Sequence, residues 1–197
     1  EKDLPTDIQK RKLYETGRTL LKTSGYEDIG MDHFALPHDN LYLAQRQGRL
    51  HRNFMGYTTT NTELLIGLGA SAISDAKYAY AQNLKKLEAH RQAVAEDRLP
   101  VFKGHILTEE DQEARKFILQ IACQGKVTME GLRYLDDSAL KETLREMRRE
   151  GILKINADGF EVTDSGRPFL RNICTAFDRR IILNDSTKDP ALFSKSI

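Results

Sequence analysis

The strongest local signal in the sequence is a β-hairpin near its carboxyl-terminal end. Two short runs rich in apolar residues, ILKI and FEVT, flank Asn156-Ala157-Asp158-Gly159. Asn, Asp and Gly in a short connection between two such runs are typical of a hairpin turn. Helical patterns lie on both sides, one over Ser138 to Glu150 and one from about Gly166. This region must therefore combine helices with a small antiparallel sheet.

The pattern from Thr108 onward reads helix, short helix, helix, hairpin, helix. The first helix carries an apolar stripe at helical spacing, formed by Ala114, Phe117, Ile118, Ile121 and Ala122. The short helix is predicted over Thr128 to Leu135. Three helices, a β-wing and a closing helix describe a winged-helix-like, mostly helical domain. We assign it residues 101–197.

The first hundred residues alternate helices with short strands, which is typical of α/β folds. Thr6 and Gln9 form a capping box for a first helix. A strand is predicted over Tyr26 to Phe34, and a short helix over Asn40 to Gln47. The run ELLIGLGASAIS, residues 63–74, predicts a buried strand leading into a glycine turn. A charged helix is predicted over Asn83 to Glu96.

Composition excludes several classes of protein. With 40% hydrophobic and 30% charged residues, the chain is globular and not disordered. Its net charge of +1 gives no attraction to nucleic acid or to an acidic membrane. The longest apolar run, Leu64 to Ile73, is too short to span a bilayer and is broken by glycines. No secretory signal begins the sequence, and we expect a cytoplasmic protein.

The cysteine count limits the metal chemistry of these residues. Cys123 and Cys174 lie among apolar neighbours at helical spacing, which predicts two buried, reduced thiols. Two distant thiols cannot provide the three cysteines that a site-differentiated iron–sulfur cluster needs. The five histidines show no metal-ligand spacing.

Two clusters of residues could carry chemistry. GMDHFALP places Asp32 and His33 at the end of a predicted strand, where barrel-like folds hold active-site groups. The alternative is that one of them faces solvent while the other caps a turn. The second cluster, residues 50–74, places Gly56 beside aromatic residues, so the backbone is free to approach a ligand. Gly67 and Gly69 indicate close approach of a ligand or of another backbone, or are purely structural.

These clusters carry a family resemblance. GYEDIGMDHFALP, AQRQGRLHRNFMGYTT, LLIGLGASAIS and ILKINADGFEVTDSGRPFLRNIC resemble, in the same order, the second half of the oxygen-independent coproporphyrinogen III oxidases. That family belongs to the radical S-adenosylmethionine enzymes. The resemblance covers essentially the whole chain. It implies that residues 1–100 are the carboxyl-terminal part of an incomplete (β/α) barrel with a following extension, ahead of the winged-helix-like domain.

The resemblance also implies an activity. Enzymes of this family oxidatively decarboxylate coproporphyrinogen III to protoporphyrinogen IX in heme biosynthesis, using S-adenosylmethionine and a [4Fe–4S] cluster. The electron donor is not identified by the sequence. The family's Cys-x-x-x-Cys-x-x-Cys motif is not among these residues. We therefore expect the chain to be the carboxyl-terminal portion of such an enzyme, to be inactive alone and to hold no stable cluster.

Several site residues follow from the resemblance alone. Phe54 matches a phenylalanine that lines the S-adenosylmethionine and substrate cavity, and Ile73 matches an isoleucine that contacts a second S-adenosylmethionine. Family members have glutamine where this chain has Met55. The expected cavity wall also includes Arg52, Met55, Gly56, Gly67 and Gly69. Asp32 and His33 match the family motif as catalytic candidates with no assigned step.

Two other functions remain open from the sequence. The related heme chaperones carry His-Asn-x-x-Tyr-Trp where this chain has HRNFMGY, and this chain has no Trp. A winged helix could instead read DNA with residues 138–150. That helix alternates Lys and Arg with Glu, whereas a DNA-contacting face should be basic. We expect no nucleic-acid partner, and we expect exposed apolar residues of the cavity wall to promote self-association.

Overall fold

The structure, a computed structural model, describes residues 4–128, 138–178 and 180. The chain divides into two compact units, one formed by Glu1–Thr59 with Lys116–Ile197 and the other by Thr60–Arg115. These limits differ from the division into 1–100 and 101–197, which remains a prediction about independent domains. Each unit is described by itself below.

Helices and short strands alternate along the described residues. The helices are α1 (Asp7–Thr23), α2 (Asn40–Arg46), α3 (Leu87–Ala95), α4 (Glu109–Gln124), α5 (Ser138–Arg149) and α6 (Leu170–Thr175), with a 3-10 turn at Arg167–Phe169 before α6. The strands are β1 (Glu27–Gly30), β2 (His33–Ala35), β3 (His51–Asn53), β4 (Gly56–Thr58), β5 (Ile73–Asp75), β6 (Ala79–Asn83), β7 (Val101–Ile106), β8 (Lys126–Thr128), β9 (Leu153–Asn156) and β10 (Gly159–Val162).

The predicted helix starts of the first unit are confirmed. Thr6 accepts a hydrogen bond from the Gln9 amide at 3.3 Å, and its own amide donates to Gln9 Oε1 at 2.8 Å. This reciprocal capping box satisfies two backbone donors that the helix cannot satisfy itself. Asp39 caps α2 with a single side-chain bond, in which its Oδ1 accepts from the Leu41 amide at 2.7 Å.

The single strand predicted over Tyr26 to Phe34 is wrong. The segment forms an antiparallel hairpin, in which Glu27 pairs with Ala35 and Asp28 with Phe34. The chain reverses at Met31 and Asp32, whose φ angles of 42° and 67° lie in the left-handed region. Asp tolerates that conformation in turns, so an apolar run that looks continuous is folded back on itself.

The buried strand predicted within residues 63–74 is also wrong. The first strand in this segment, β5, begins only at Ile73, and Leu64, Ile66 and Leu68 are exposed, Leu68 by 87%. An apolar run of this length does not by itself fix secondary structure or burial. The charged helix predicted from Asn83 begins later, at Leu87, because residues through Asn83 pair in β6.

The hydrophobic core lies in the first unit. The predicted stripe of α4 supplies Phe117 and Ile121, and the Phe177 ring packs at 6.3 Å from Phe117 and 5.9 Å from Phe160 between ring centroids. The other fully buried large side chains are Ile29, Leu153 and Ile173. Burial of these aromatic and aliphatic groups is the main stabilising contribution to the unit.

The hairpin predicted around residues 156–159 is confirmed. Phe160 pairs with Ile155 across β9 and β10, and β8 adds a third strand that the sequence analysis missed. Gly159 is required there, because its φ is +141° and an added Cβ would lie 1.9 Å from the Val127 carbonyl oxygen. The short helix predicted over Thr128 to Leu135 falls largely on residues 129–137, outside the described residues.

The second unit is built on the three-stranded sheet β5-β6-β7. The Arg115 guanidinium forms a two-bonded ion pair with the largely buried Asp75 carboxylate, at 3.0 Å and 2.5 Å. This pair ties the start of α4 to β5. Every strand pairing within residues 4–128 and 138–178 is antiparallel. In the same ranges, no helix has the length and apolar content that crossing a bilayer would take.

Candidate functional site

Tyr57 joins the two clusters that the sequence analysis singled out. It lies on β4, and its hydroxyl donates a 2.7 Å hydrogen bond to the Ala122 carbonyl oxygen in the last turn of α4. Carbonyls of a helix's last turn have no partner within the helix. Tyr57 therefore satisfies one of them from a strand that lies 65 residues away along the chain.

Gly30 leaves the space that the Tyr57 hydroxyl occupies. Its φ is +129°, and a Cβ added there would lie 2.7 Å from the hydroxyl oxygen and 3.0 Å from Leu170 Cδ2. A residue with a side chain would be strained by its backbone and would also displace the tyrosine. The glycine of the GMDHF motif thus leaves room for the tyrosine of the GYTT motif. The spacing of these motifs in the sequence does not predict this contact.

His33 packs against Tyr57 from β2. The two rings meet edge to face, with centroids 5.1 Å apart and planes at 84°. Its Nδ1 lies 2.8 Å from the Met31 carbonyl oxygen, and because a carbonyl oxygen can only accept, Nδ1 is the donor of this bond. An added Cβ on Gly56 would lie 3.3 Å from that Nε2. The imidazole therefore fits against the turn between β3 and β4.

Arg52, on β3, lies over the Tyr57 ring, with its guanidinium carbon 4.8 Å from the ring centroid. Its Nη1 is buried and has no hydrogen-bond acceptor among the described residues. Burial raises the pKa of the Tyr57 hydroxyl, and the Arg52 charge only partly offsets this. The Arg52 charge thus makes a cation–π contact with the Tyr57 ring.

Both cysteines are buried, as predicted. Burial raises the pKa of Cys123 to about 11 and that of Cys174 to about 12, although Arg52 acts in the opposite direction on both. Such thiols are protonated at neutral pH and are poor nucleophiles and poor metal ligands. Within the described ranges, no group of three or more His, Cys, Asp and Glu side chains is arranged to hold a metal ion.

The turn between β3 and β4, residues 53–56, presents two apolar side chains outward; we call it the apex. Phe54 is 49% exposed and Met55 is 86% exposed. The Asn53 side chain shapes the turn by accepting a 2.8 Å hydrogen bond from the Met55 amide. The partial exposure expected for this stretch is confirmed. Its role as a cavity wall remains a prediction.

The second group of candidate residues lies in the other unit and is described separately. Gly67 faces backbone, because an added Cβ would lie 2.7 Å from the Ile73 carbonyl oxygen. Gly69 has a φ of +94° and no described atom within 4 Å of an added Cβ. The Asn83 side chain donates to the carbonyls of both glycines, at 3.1 Å and 2.9 Å. Ile73 is half-buried.

Asp32 is exposed in the β1–β2 turn. A polar cavity of about 280 Å³ also lies in the first unit, lined by Arg46, Cys123, Lys126 and Arg167 among others. Arg46 ends α2 and Lys126 follows α4. Cations at helix carboxyl-terminal ends balance the helix dipole, which accounts for both without a ligand.

Comparison with known proteins gives relatives along nearly the whole chain. No family model matches it. The oxygen-independent coproporphyrinogen III oxidase of Escherichia coli strain K12 is 38% identical over 183 residues, which make up 89% of this chain and 40% of that protein. The protein of the same name from Synechocystis sp. strain PCC 6803 is 38% identical over 208 residues, covering 100% of this chain and 44% of that protein.

A solved structure agrees with these relatives. The Escherichia coli coproporphyrinogen III oxidase, described as a radical SAM enzyme, superposes with a TM-score of 0.83 and 37% identity. The match covers 91% of this chain and 43% of that one. The chain therefore spans less than half the length of these relatives, and the homology extends to the fold of the matched portion.

Proposed function

We propose, from the premise that this chain is a homologue of the oxygen-independent coproporphyrinogen III oxidases, that it is the carboxyl-terminal portion of such an enzyme. The complete enzyme oxidatively decarboxylates coproporphyrinogen III to protoporphyrinogen IX. The observation that carries the proposal is 38% identity to such an oxidase along the whole chain. We infer that this portion forms one wall of the reaction cavity.

The structure supports the wall in the first unit. Phe54 and Met55 project from a turn that is held on its inner side by Tyr57 and His33. An apolar, partly exposed surface on a fixed turn is suited to contact a ligand in a site from which water is excluded. Arg52 and Gly56 complete this part of the wall. Ile73, Gly67 and Gly69 lie in the second unit, and their proposed role rests on the family resemblance alone.

The cofactors of the complete enzyme are S-adenosylmethionine and a [4Fe–4S] cluster, which together supply the radical chemistry. The described residues do not fit the cluster, because their two thiols are buried and protonated. Cluster ligands would thus come from residues outside this chain. What this chain contributes is the binding and orientation of S-adenosylmethionine or substrate through Phe54 and Ile73.

We also propose that residues 1–100 are the carboxyl-terminal part of an incomplete (β/α) barrel with a following extension, and that residues 101–197 are a winged-helix-like domain. Helices α4 and α5 and the sheet β8-β10-β9 support the second assignment. A cytoplasmic location remains a prediction.

The charges of α5 favour the oxidase over a DNA-binding module. Arg145 and Arg149 lie 2.9 Å and 3.7 Å from the Glu142 carboxylate. Cations engaged in this way on a mixed face are poorly suited to bind phosphates. We therefore expect no sequence-specific binding of duplex DNA by this helix.

The test is an anaerobic assay of the complete enzyme, reconstituted with iron and sulfide and supplied with S-adenosylmethionine, a reductant and coproporphyrinogen III. Chromatography of the oxidised porphyrins should show vinyl groups in place of two propionates. A cluster-loaded protein that binds heme without forming vinyl groups would identify the chaperone-like relative instead. Sequence-specific DNA binding at nanomolar protein concentration would identify a regulator.

A further inference from the structure

We infer that His33 is a positioning residue of the candidate site, acting through the apex of the β3–β4 hairpin. The sequence gives this histidine no chemical step. The structure places it behind the turn that presents Phe54 and Met55. The inference rests on the proposed function for its consequence on turnover, but its structural part is independent of that function.

The position of His33 is fixed from its own side. The Nδ1 hydrogen bond to the Met31 carbonyl, at 2.8 Å, anchors the ring to the β1–β2 turn. Met31 and Asp32 hold that turn in left-handed conformations. An imidazole anchored by its own turn, on a half-buried residue, has little rotational freedom left.

The opposite edge of the ring determines where the apex can lie. Gly56 sits so close to Nε2 that an added Cβ would be 3.3 Å away, and its φ of +130° already excludes most side chains. The ring also meets Tyr57 edge to face, and Tyr57 is held by its hydrogen bond to Ala122. The β3–β4 hairpin is thus in contact with His33 at two consecutive residues, Gly56 and Tyr57.

Phe54 and Met55 immediately precede these two residues. A three-residue strand pair, β3 with β4, is too short to be stable by itself. Its apex therefore depends on side-chain contacts from outside the hairpin. His33, on β2, supplies such a contact through its ring. Loss of the imidazole would let the apex move while the core of the unit stays folded.

Three variants separate the contacts of His33. His33→Ala removes both the ring and the hydrogen bond. His33→Phe keeps a ring against Tyr57 but cannot donate to Met31, and His33→Asn keeps a donor near the Nδ1 position without the ring. Leu144→Ala, at a buried position of α5, is the matched control for general loss of stability.

Hydrogen–deuterium exchange on this chain is the first test. In His33→Ala, the amides of residues 53–57 should exchange at least about tenfold faster than in Leu144→Ala, compared at equal stability. His33→Phe should restore part of the protection. Equal exchange at residues 53–57 in His33→Ala and Leu144→Ala would overturn the inference, whether or not the protein is an oxidase.

Kinetics of the complete enzyme is the second test. Turnover per folded, cluster-loaded protein should fall about tenfold in His33→Ala, mainly in kcat, since a misplaced wall impairs the reacting geometry. The double variant His33→Ala/Phe54→Ala should be no slower than Phe54→Ala alone, because His33 acts through the apex. Additive losses would assign His33 a separate role and overturn the inference. A wild-type enzyme that carries its cluster but never decarboxylates would overturn the proposed function and leave the exchange result to decide this one.

Discussion

At the scale of single residues, the candidate site depends on two glycines, whose lack of a side chain leaves space for neighbouring residues. Gly30 and Gly56 make room for the Tyr57 hydroxyl and the His33 ring. Two motifs that lie about 25 residues apart in the chain thereby share one cluster of contacts. Substitutions at these glycines should therefore affect the partner side chain and not only the local backbone.

Gly30→Ala should destabilise the chain by more than about 2 kcal/mol, because left-handed strain adds to a clash with the Tyr57 hydroxyl. Gly25→Ala is the control: its φ is +86° and no described atom lies within 4 Å of an added Cβ, so only the strain remains. In a Tyr57→Phe background the difference between the two should shrink. Chemical denaturation measures all four variants, and an undiminished difference would show that the hydroxyl is not the obstacle.

Phe54→Ala should lower turnover of coproporphyrinogen by the complete enzyme about a hundredfold, with cluster content and fold unchanged, because the proposed contact of Phe54 with the bound ligand would be lost. Phe102→Ala removes a similarly exposed phenylalanine, 54% against 49%, from β7. Phe102→Ala should leave turnover within about twofold of the wild-type rate. An equally small effect of Phe54→Ala would mean that Phe54 is a surface residue with no role in the cavity. Anaerobic steady-state rates decide between these outcomes.

The two thiols should be unreactive in the folded chain. Because burial raises the pKa of Cys123 to about 11 and of Cys174 to about 12, almost no thiolate is present at pH 8, whereas unfolded cysteine has a pKa of about 8.5. Mass spectrometry after iodoacetamide should show no adducts without denaturant and two with it. The unfolded state loses these protons first, so stability should fall as pH rises from about 9 toward 11. Rapid native alkylation would contradict the burial of the thiols.

At the scale of elements, the ion pair between β5 and α4 holds the second unit together. Arg115→Leu leaves the 8% exposed Asp75 carboxylate with the Lys77 amide as a donor but without its charged partner, and should cost about 2 kcal/mol. Arg98→Ala breaks an exposed pair with Glu96 and should leave stability nearly unchanged, because solvent screens such pairs. Limited proteolysis within residues 60–115 measures local opening. Equal cleavage rates in the two variants would mean that the buried pair contributes nothing.

The elements also show what the sequence could predict. Capped helices and the hairpin at residues 156–159 were predicted correctly, since their signals are local. The turn at Met31 and Asp32 was missed, because neither of the two residues that reverse the chain is a glycine. The exposure of Leu64, Ile66 and Leu68 was missed, because burial depends on what packs against a run and not on its composition. Contacts such as Tyr57 with Ala122 carry no signal in one sequence.

At the scale of the whole molecule, this chain should bind no cluster by itself. Anaerobic reconstitution of the 197 residues with iron and sulfide should give no stoichiometric cluster absorbance, because both thiols are buried and protonated. An absorbance that disappears in Cys123→Ser or Cys174→Ser would contradict this.

The exposed apolar residues should also promote self-association, measurable as a concentration-dependent sedimentation coefficient.

We propose that the cluster ligands lie outside this chain and that this chain completes the reaction cavity. The most direct measurement is CO2 release from coproporphyrinogen III by the complete enzyme and by the same protein truncated before the first residue of this chain. The account predicts that the complete enzyme releases one CO2 for each vinyl group formed. The truncated protein should load its cluster and release none. Sustained CO2 release by the truncated protein, or none by the cluster-loaded complete enzyme, would contradict the account.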